Sequence, residues 1–107
     1  MRRRSWMFPL AAALAGLLSA CAAFVPDPDP SDAGGDESAL ADLRAGRSIY
    51  VEKCGGCHRL YDVDSYGDDA WRGHVQDMVR EKLVKLTRLE HATLLRYLTT
   101  LNSKPRP

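Results

Sequence analysis

Strand-like alternation of apolar and polar residues is missing from this chain, and so is any internal repeat. A sheet fold, and with it the βαβ setting of a dithiol oxidoreductase, has nothing to build from. Histidine is scarce: His58, His74 and His91 are the three present, spaced far wider than the close pairs of a compact zinc site. No set of serine, histidine and acid stands out, so an enzyme is not expected. Cysteine is limited to Cys21, Cys54 and Cys57, and the loop 59–70 contains no proline. Only one methionine, Met78, lies beyond Cys21.

What is present begins with charge followed by its absence. Arg2, Arg3 and Arg4 precede an uncharged run from Trp6 to Val25. That order is the plan of a secretory signal peptide. Leu18-Ser19-Ala20-Cys21 resembles a bacterial lipobox. The resemblance implies removal of residues 1–20 and acylation of Cys21, and several acyl chains on one residue give stable anchoring to a membrane. An uncleaved membrane helix is the alternative, because an apolar run of about 20 residues is just enough to span a bilayer. Both readings put the remainder outside the cytoplasm, since the arginines stay inside. The expected location is the cell envelope, on the periplasmic side, where nucleic acid is not an expected partner.

Residues 22–39, "AAFVPDPDPSDAGGDESA", read as an acidic, Pro-rich linker, so that 21–39 form a lipidated cysteine and its disordered tether. Residues 27–37 carry five acids and no base. A folded part is expected from 40 to 107, with 12 Lys and Arg against 9 Asp and Glu. The excess of bases falls in 71–107. Helical periodicity predicts three helices and an all-α domain. The first, about 40–54, places Leu43, Tyr50, Val51 and Cys54 on one face. The second, about 69–84, starts behind Asp68 and Asp69 and presents Trp71, Val75, Met78, Val79 and the stem of Lys82. The third, about 89–101, presents Leu94, Leu95, Leu98 and Leu101. Three helices of this length enclose a thin core, and small domains commonly add a staple or a cofactor to it.

Within this frame stands "KCGGCHR", residues 53–59. A redox pair, half a zinc site, a disulfide in a structural lipoprotein and a haem attachment point are the available readings. The dithiol reading lacks its βαβ context and the zinc reading lacks two ligands. C-x-x-C-H is the attachment pattern of c-type haem. It assigns Cys54 and Cys57 to the porphyrin vinyl groups and His58 to the iron as proximal ligand. Attachment of that kind takes place outside the cytoplasm, which agrees with the export signal. Covalent haem c is the expected cofactor.

Gly46-x-x-x-Tyr50-x-x-x-Cys54-x-x-Cys57-His58 resembles the first helix of class I cytochromes c, and the likeness covers about residues 40–101. It implies that Gly46 and Tyr50 pack against a C-terminal helix carrying Leu94, Tyr97 and Leu98. Trp71-x-x-x-Val75-x-x-Met78 looks like the distal helix of a compact subgroup of such domains, which implies Met78 as sixth iron ligand. His74, one turn earlier, competes for that role, and His91 falls near the start of the third helix. The interval from His58 to Met78 is short beside that of the long members of the class. The expected function is single-electron transfer between redox protein partners, with an open-site haem sensor as the alternative. Arg72, Arg80, Lys82, Lys85, Arg88 and Arg96 form a basic half suited to propionates or to an acidic partner.

Overall fold

The structure, a computed structural model, describes residues 22–55 and 59–107. The expected signal peptide 1–20, the lipid site Cys21 and the motif residues Cys57 and His58 lie outside the described residues. Among the described residues the chain is all-helical, with three helices and no strand. No helix among them is long and apolar enough to cross a membrane.

Helix α1 spans Glu37–Ile49. It starts at Glu37 because the Asp36 carboxylate accepts from the amides of Ser38 and Ala39 at 2.8 and 3.2 Å, satisfying two donors the helix leaves open. Its buried face is Leu40, Leu43 and Gly46. The chain then continues as a wider π turn, Tyr50–Cys54, where periodicity predicts a regular helix through residue 54. The extra residue in that turn changes the phase of the side chains. Tyr50 stays in the core at 2 % exposure, while Val51, expected on the buried face, is 41 % exposed. Gly55 closes the turn. A Cβ there would stand 2.6 Å from the Val51 carbonyl oxygen, so the glycine is required by the chain's own backbone.

Helix α2 spans Asp68–Arg80, with Asp68 and Asp69 in its first turn, where carboxylates complement the helix dipole. It ends one turn earlier than the periodicity suggests. The Leu83 amide donates to the Met78 carbonyl at 2.9 Å and the Lys82 amide to Val79 at 3.1 Å. That pair of bonds is a Schellman ending, with Lys82 in the left-handed position at φ 60° where glycine is usual. Lys82 is therefore exposed beyond the helix, and its stem does not join the apolar stripe. Helix α3 spans Arg88–Leu101 and opens on a reciprocal cap: Glu90 N–H to Thr87 Oγ1 at 3.1 Å and Thr87 N–H to Glu90 Oε1 at 2.9 Å.

Helices α1 and α3 run antiparallel. Asp42 pairs with Arg96, Gly46 lies against Thr93 and Tyr97, and Lys53 pairs with Glu90. The core between the helices holds Leu43, Tyr50, Val63, Trp71, Val75, Leu94, Tyr97, Leu98 and Leu101. Tyr50 meets Trp71 edge-to-face at 5.8 Å and Tyr97 at 6.5 Å, so aromatic contacts join all three helices. Burial pushes the phenols of Tyr50 and Tyr97 far above their ordinary value. Both hydroxyls remain neutral donors, Tyr50 to the Tyr61 carbonyl and Tyr97 to the Pro26 carbonyl.

The stretch expected as a disordered tether is docked on the domain across residues 24–36. The Phe24 amide donates to Asp62 Oδ1 at 2.6 Å, and the Val63 amide donates to the Phe24 carbonyl at 2.8 Å. Arg47 donates to the Val25 carbonyl and pairs with Asp27. Asp29 caps a 3-10 turn, Pro30–Ala33, and Lys104 bridges Asp29 and Asp32. Arg106 lies over the Phe24 ring at 4.6 Å while binding Asp62 and Asp64. Proline and clustered acids do resist regular helix and strand here. They form instead an extended strap whose polar groups are met by residues far along the chain.

The strap is expected to be acid-sensitive. Lys104 holds Asp29 well below the usual carboxylate range, the Phe24 amide and Arg106 lower Asp62, and Arg106 lowers Asp64. Carboxyls that are more acidic folded than unfolded stabilise the fold above the unfolded value of 3.8. That contribution disappears as pH falls through their folded values. Limited proteolysis should therefore cut within 22–36 faster with an acid-active protease at pH 3 than at pH 5. Equal rates would show that the three carboxylates do not hold the strap.

Candidate functional site

The first motif cysteine sits at the end of the π turn. Cys54 is half-buried and lies where the chain leaves α1. Opposite it, α2 presents Trp71, Val75 and Met78 on one stripe, of which Trp71 and Val75 are buried and Met78 half-buried. Cys54 and Met78 line one small cleft together with Tyr50, Arg59, Leu60, Tyr61 and Trp71. Two of the four sulfur-bearing residues singled out in the sequence, Cys54 and Met78, are thus brought to one cleft across a helix–turn junction.

The walls of that cleft are apolar for a specific reason. Trp71 commits its indole N–H to the Val63 carbonyl at 3.0 Å, and Tyr50 commits its hydroxyl to the Tyr61 carbonyl at 2.5 Å. Neither aromatic has a polar hydrogen left to offer the interior, so both present carbon. The Val63 turn, Val63–Ser65, is held from two sides, by Trp71 and by the strap at Phe24. The segment 59–65 is therefore anchored at its far end while its near end joins the motif.

His74 is placed differently. It is exposed, and its ring packs on Tyr66 at 4.3 Å and stands 6.4 Å from Trp71, edge-to-face, without itself lining the cleft. Tyr66 in turn meets Trp71 at 5.1 Å, so His74 belongs to an outer aromatic stack. His91 is half-buried in the first turn of α3, its amide bonded to the Thr87 carbonyl. Among the described residues no three His, Cys, Asp or Glu side chains converge as a metal site.

Leu60 and Tyr61 also line the cleft, although no motif marks them in the sequence. The available signal is a pair of large apolar side chains directly after the motif, in an otherwise polar loop. Tyr61 is 55 % exposed although it lines the cleft, so the cleft opens at that residue.

A thiol, a thioether and aromatic carbon line the cleft, the donor types a covalently held haem would use. The cleft volume is about 20 Å³, room for little more than one water. A porphyrin macrocycle is far larger than this cleft. No protein-family model, no curated protein and no solved structure matches this chain.

Proposed function

We propose that the chain is a membrane-anchored monohaem c-type cytochrome that passes single electrons between protein partners outside the cytoplasm. The motif Cys54-Gly-Gly-Cys57-His58 motivates the proposal. One observation of the fold carries it further: Cys54 and Met78, on separate elements, line a single apolar cleft while His74 does not.

In this reading Cys54 and Cys57 would hold haem c through thioether links, and His58 and Met78 would bind its iron. That group would supply a one-electron couple at iron, whose potential a thioether ligand and a dry surround would raise. The chain's own residues provide the setting. Trp71 and Tyr50 keep polar hydrogens out of the cleft, because each has its donor bound to a backbone carbonyl. Lys53, next to Cys54, is held by Glu90 at 2.6 Å, which ties the motif end of α1 to the first turn of α3. Residues beyond Cys21 carry the domain, and Cys21 carries the lipid anchor.

Substitution of the competing ligands is the test. Met78→Ala is expected to abolish the thioether-to-iron absorption band of the oxidised protein and to lower its reduction potential. His74→Ala is expected to leave both unchanged. If the outcomes are exchanged, His74 is the ligand. If Met78→Ala changes neither quantity and the reduced wild-type protein binds carbon monoxide readily at neutral pH, the open-site sensor replaces the carrier.

A further inference from the structure

The strap turns an expected tether into a mount. Cys21 precedes Phe24 by three positions, and three extended residues reach at most about 11 Å. Phe24 is fixed by backbone hydrogen bonds at both its amide and its carbonyl. Around it lie Arg106, stacked on its ring, and a groove lined by Phe24, Pro26, Asp27, Lys104, Pro105 and Pro107. Whatever holds Cys21 is therefore close to this face.

The opposite end of the molecule follows from helix direction. Lys104, which binds Asp29 and Asp32 of the strap, follows the C-terminal end of α3. Lys53, adjacent to Cys54, pairs with Glu90 in the first turn of the same helix. The 14 residues of α3 rise about 20 Å. The part of the strap that Lys104 binds and the motif lie toward opposite ends of that rod, with Pro26 on Tyr97 between them. Lys53 also donates to the Lys85 carbonyl, which puts the α2–α3 connection, with its exposed Leu83, at the motif end.

We infer that the face formed by Phe24, Lys104 and residues 105–107 seats on a lipid surface, with the Cys54 end held outward into the aqueous space. The inference rests on the reading that Cys21 is acylated. Its occupant is the bilayer itself, argued from the short reach of the chain between Cys21 and Phe24 and from the fixed strap. The partner that exchanges electrons then meets the domain from the water side and not within the bilayer.

The full chain, matured in a host that acylates and attaches haem, is spin-labelled at Ser103→Cys or at Lys85→Cys, both exposed positions. It is reconstituted in vesicles of phosphatidylethanolamine and phosphatidylglycerol carrying a nickel-chelating headgroup. Mass spectrometry verifies acyl chains on Cys21 and a single label. Relaxation by headgroup nickel is expected to be several-fold stronger at 103 than at 85. A flexible Gly-Ser insert between Ala22 and Ala23 is expected to erase that contrast. Equal relaxation at both sites in acylated, vesicle-bound protein overturns the mount and leaves the anchor intact. A chain without acyl groups that stays off the vesicles overturns the anchor, and the mount falls with it.

Discussion

Replacing Gly46 by alanine is expected to destabilise the domain by about 2 kcal/mol, whereas the same change at Gly73 should stabilise it by about 0.5–1 kcal/mol. A Cβ at Gly46 would stand 2.5 Å from the Thr93 carbonyl oxygen and 2.5 Å from the Tyr97 Cβ. Both obstacles sit on or next to the α3 backbone, so neither can swing away as a side-chain tip would. Helices α1 and α3 must then separate, loosening the contacts of Leu43, Tyr50, Tyr97 and Leu98 together. Overpacking of this kind costs about 1–3 kcal/mol, and the gain in helix propensity offsets only part of it. At Gly73, on the exposed side of α2, a Cβ meets nothing within 4 Å, and the propensity gain stands alone. Urea unfolding of the two variants measures the difference. Similar midpoints would mean that the helices do not cross at Gly46 as closely as described.

The second large effect concerns the cofactor. Cys54→Ser together with Cys57→Ser is expected to remove covalent colour altogether: no haem-stained band on a denaturing gel and no thioether haem in a pyridine test. A serine hydroxyl does not form the thioether link. Cys54→Ser alone should leave a labile, single-linked product, because Cys57 still offers one thiol. The fold itself should survive the double change, since Cys54 is half-buried at a turn and not part of the buried set. Helical circular dichroism separates loss of haem from loss of fold. A wild-type chain that emerges colourless from a maturation-competent host, with both thiols titratable, ends the haem proposal.

How much of this was legible beforehand differs from element to element. Leu94, Leu98 and Leu101 recur at helical spacing, and α3 is readable from that recurrence alone. Gly46 and Tyr50 were expected to face α3, and the contacts to Thr93 and Tyr97 have that arrangement. Val51 was assigned to the same face and lies outside it, because periodicity assumes one uniform helix and the π turn at 50–54 is not uniform. The end of α2 was invisible for a different reason: Lys82 occupies a left-handed position that sequence rules reserve for glycine.

The strap was the largest departure. Its prolines and aspartates give no local period, and their partners Arg47, Tyr97, Lys104 and Arg106 are remote in sequence. The separation is 22 for Arg47 with Val25 and 71 for Tyr97 with Pro26. Only tertiary contact can supply that information. At the site, Met78 was preferred to His74 as the expected sixth ligand because it is the one methionine past Cys21 and shares a helical face with Trp71 and Val75. In the fold Met78 lines the cleft, while His74 lies against Tyr66 and the edge of Trp71.

The wide turn at Tyr50–Cys54 gives one continuous helix two rhythms. Up to Ile49 the inward side chains Leu40, Leu43 and Gly46 follow the ordinary helical step; after it, Tyr50 and Cys54 turn to the cleft that Met78 also lines. The interval from Gly46 to Cys54 is therefore not interchangeable with two ordinary turns. Deleting a single position from it would mend the backbone ladder and misdirect the thiol, so this short interval should tolerate changes of letter far better than changes of length.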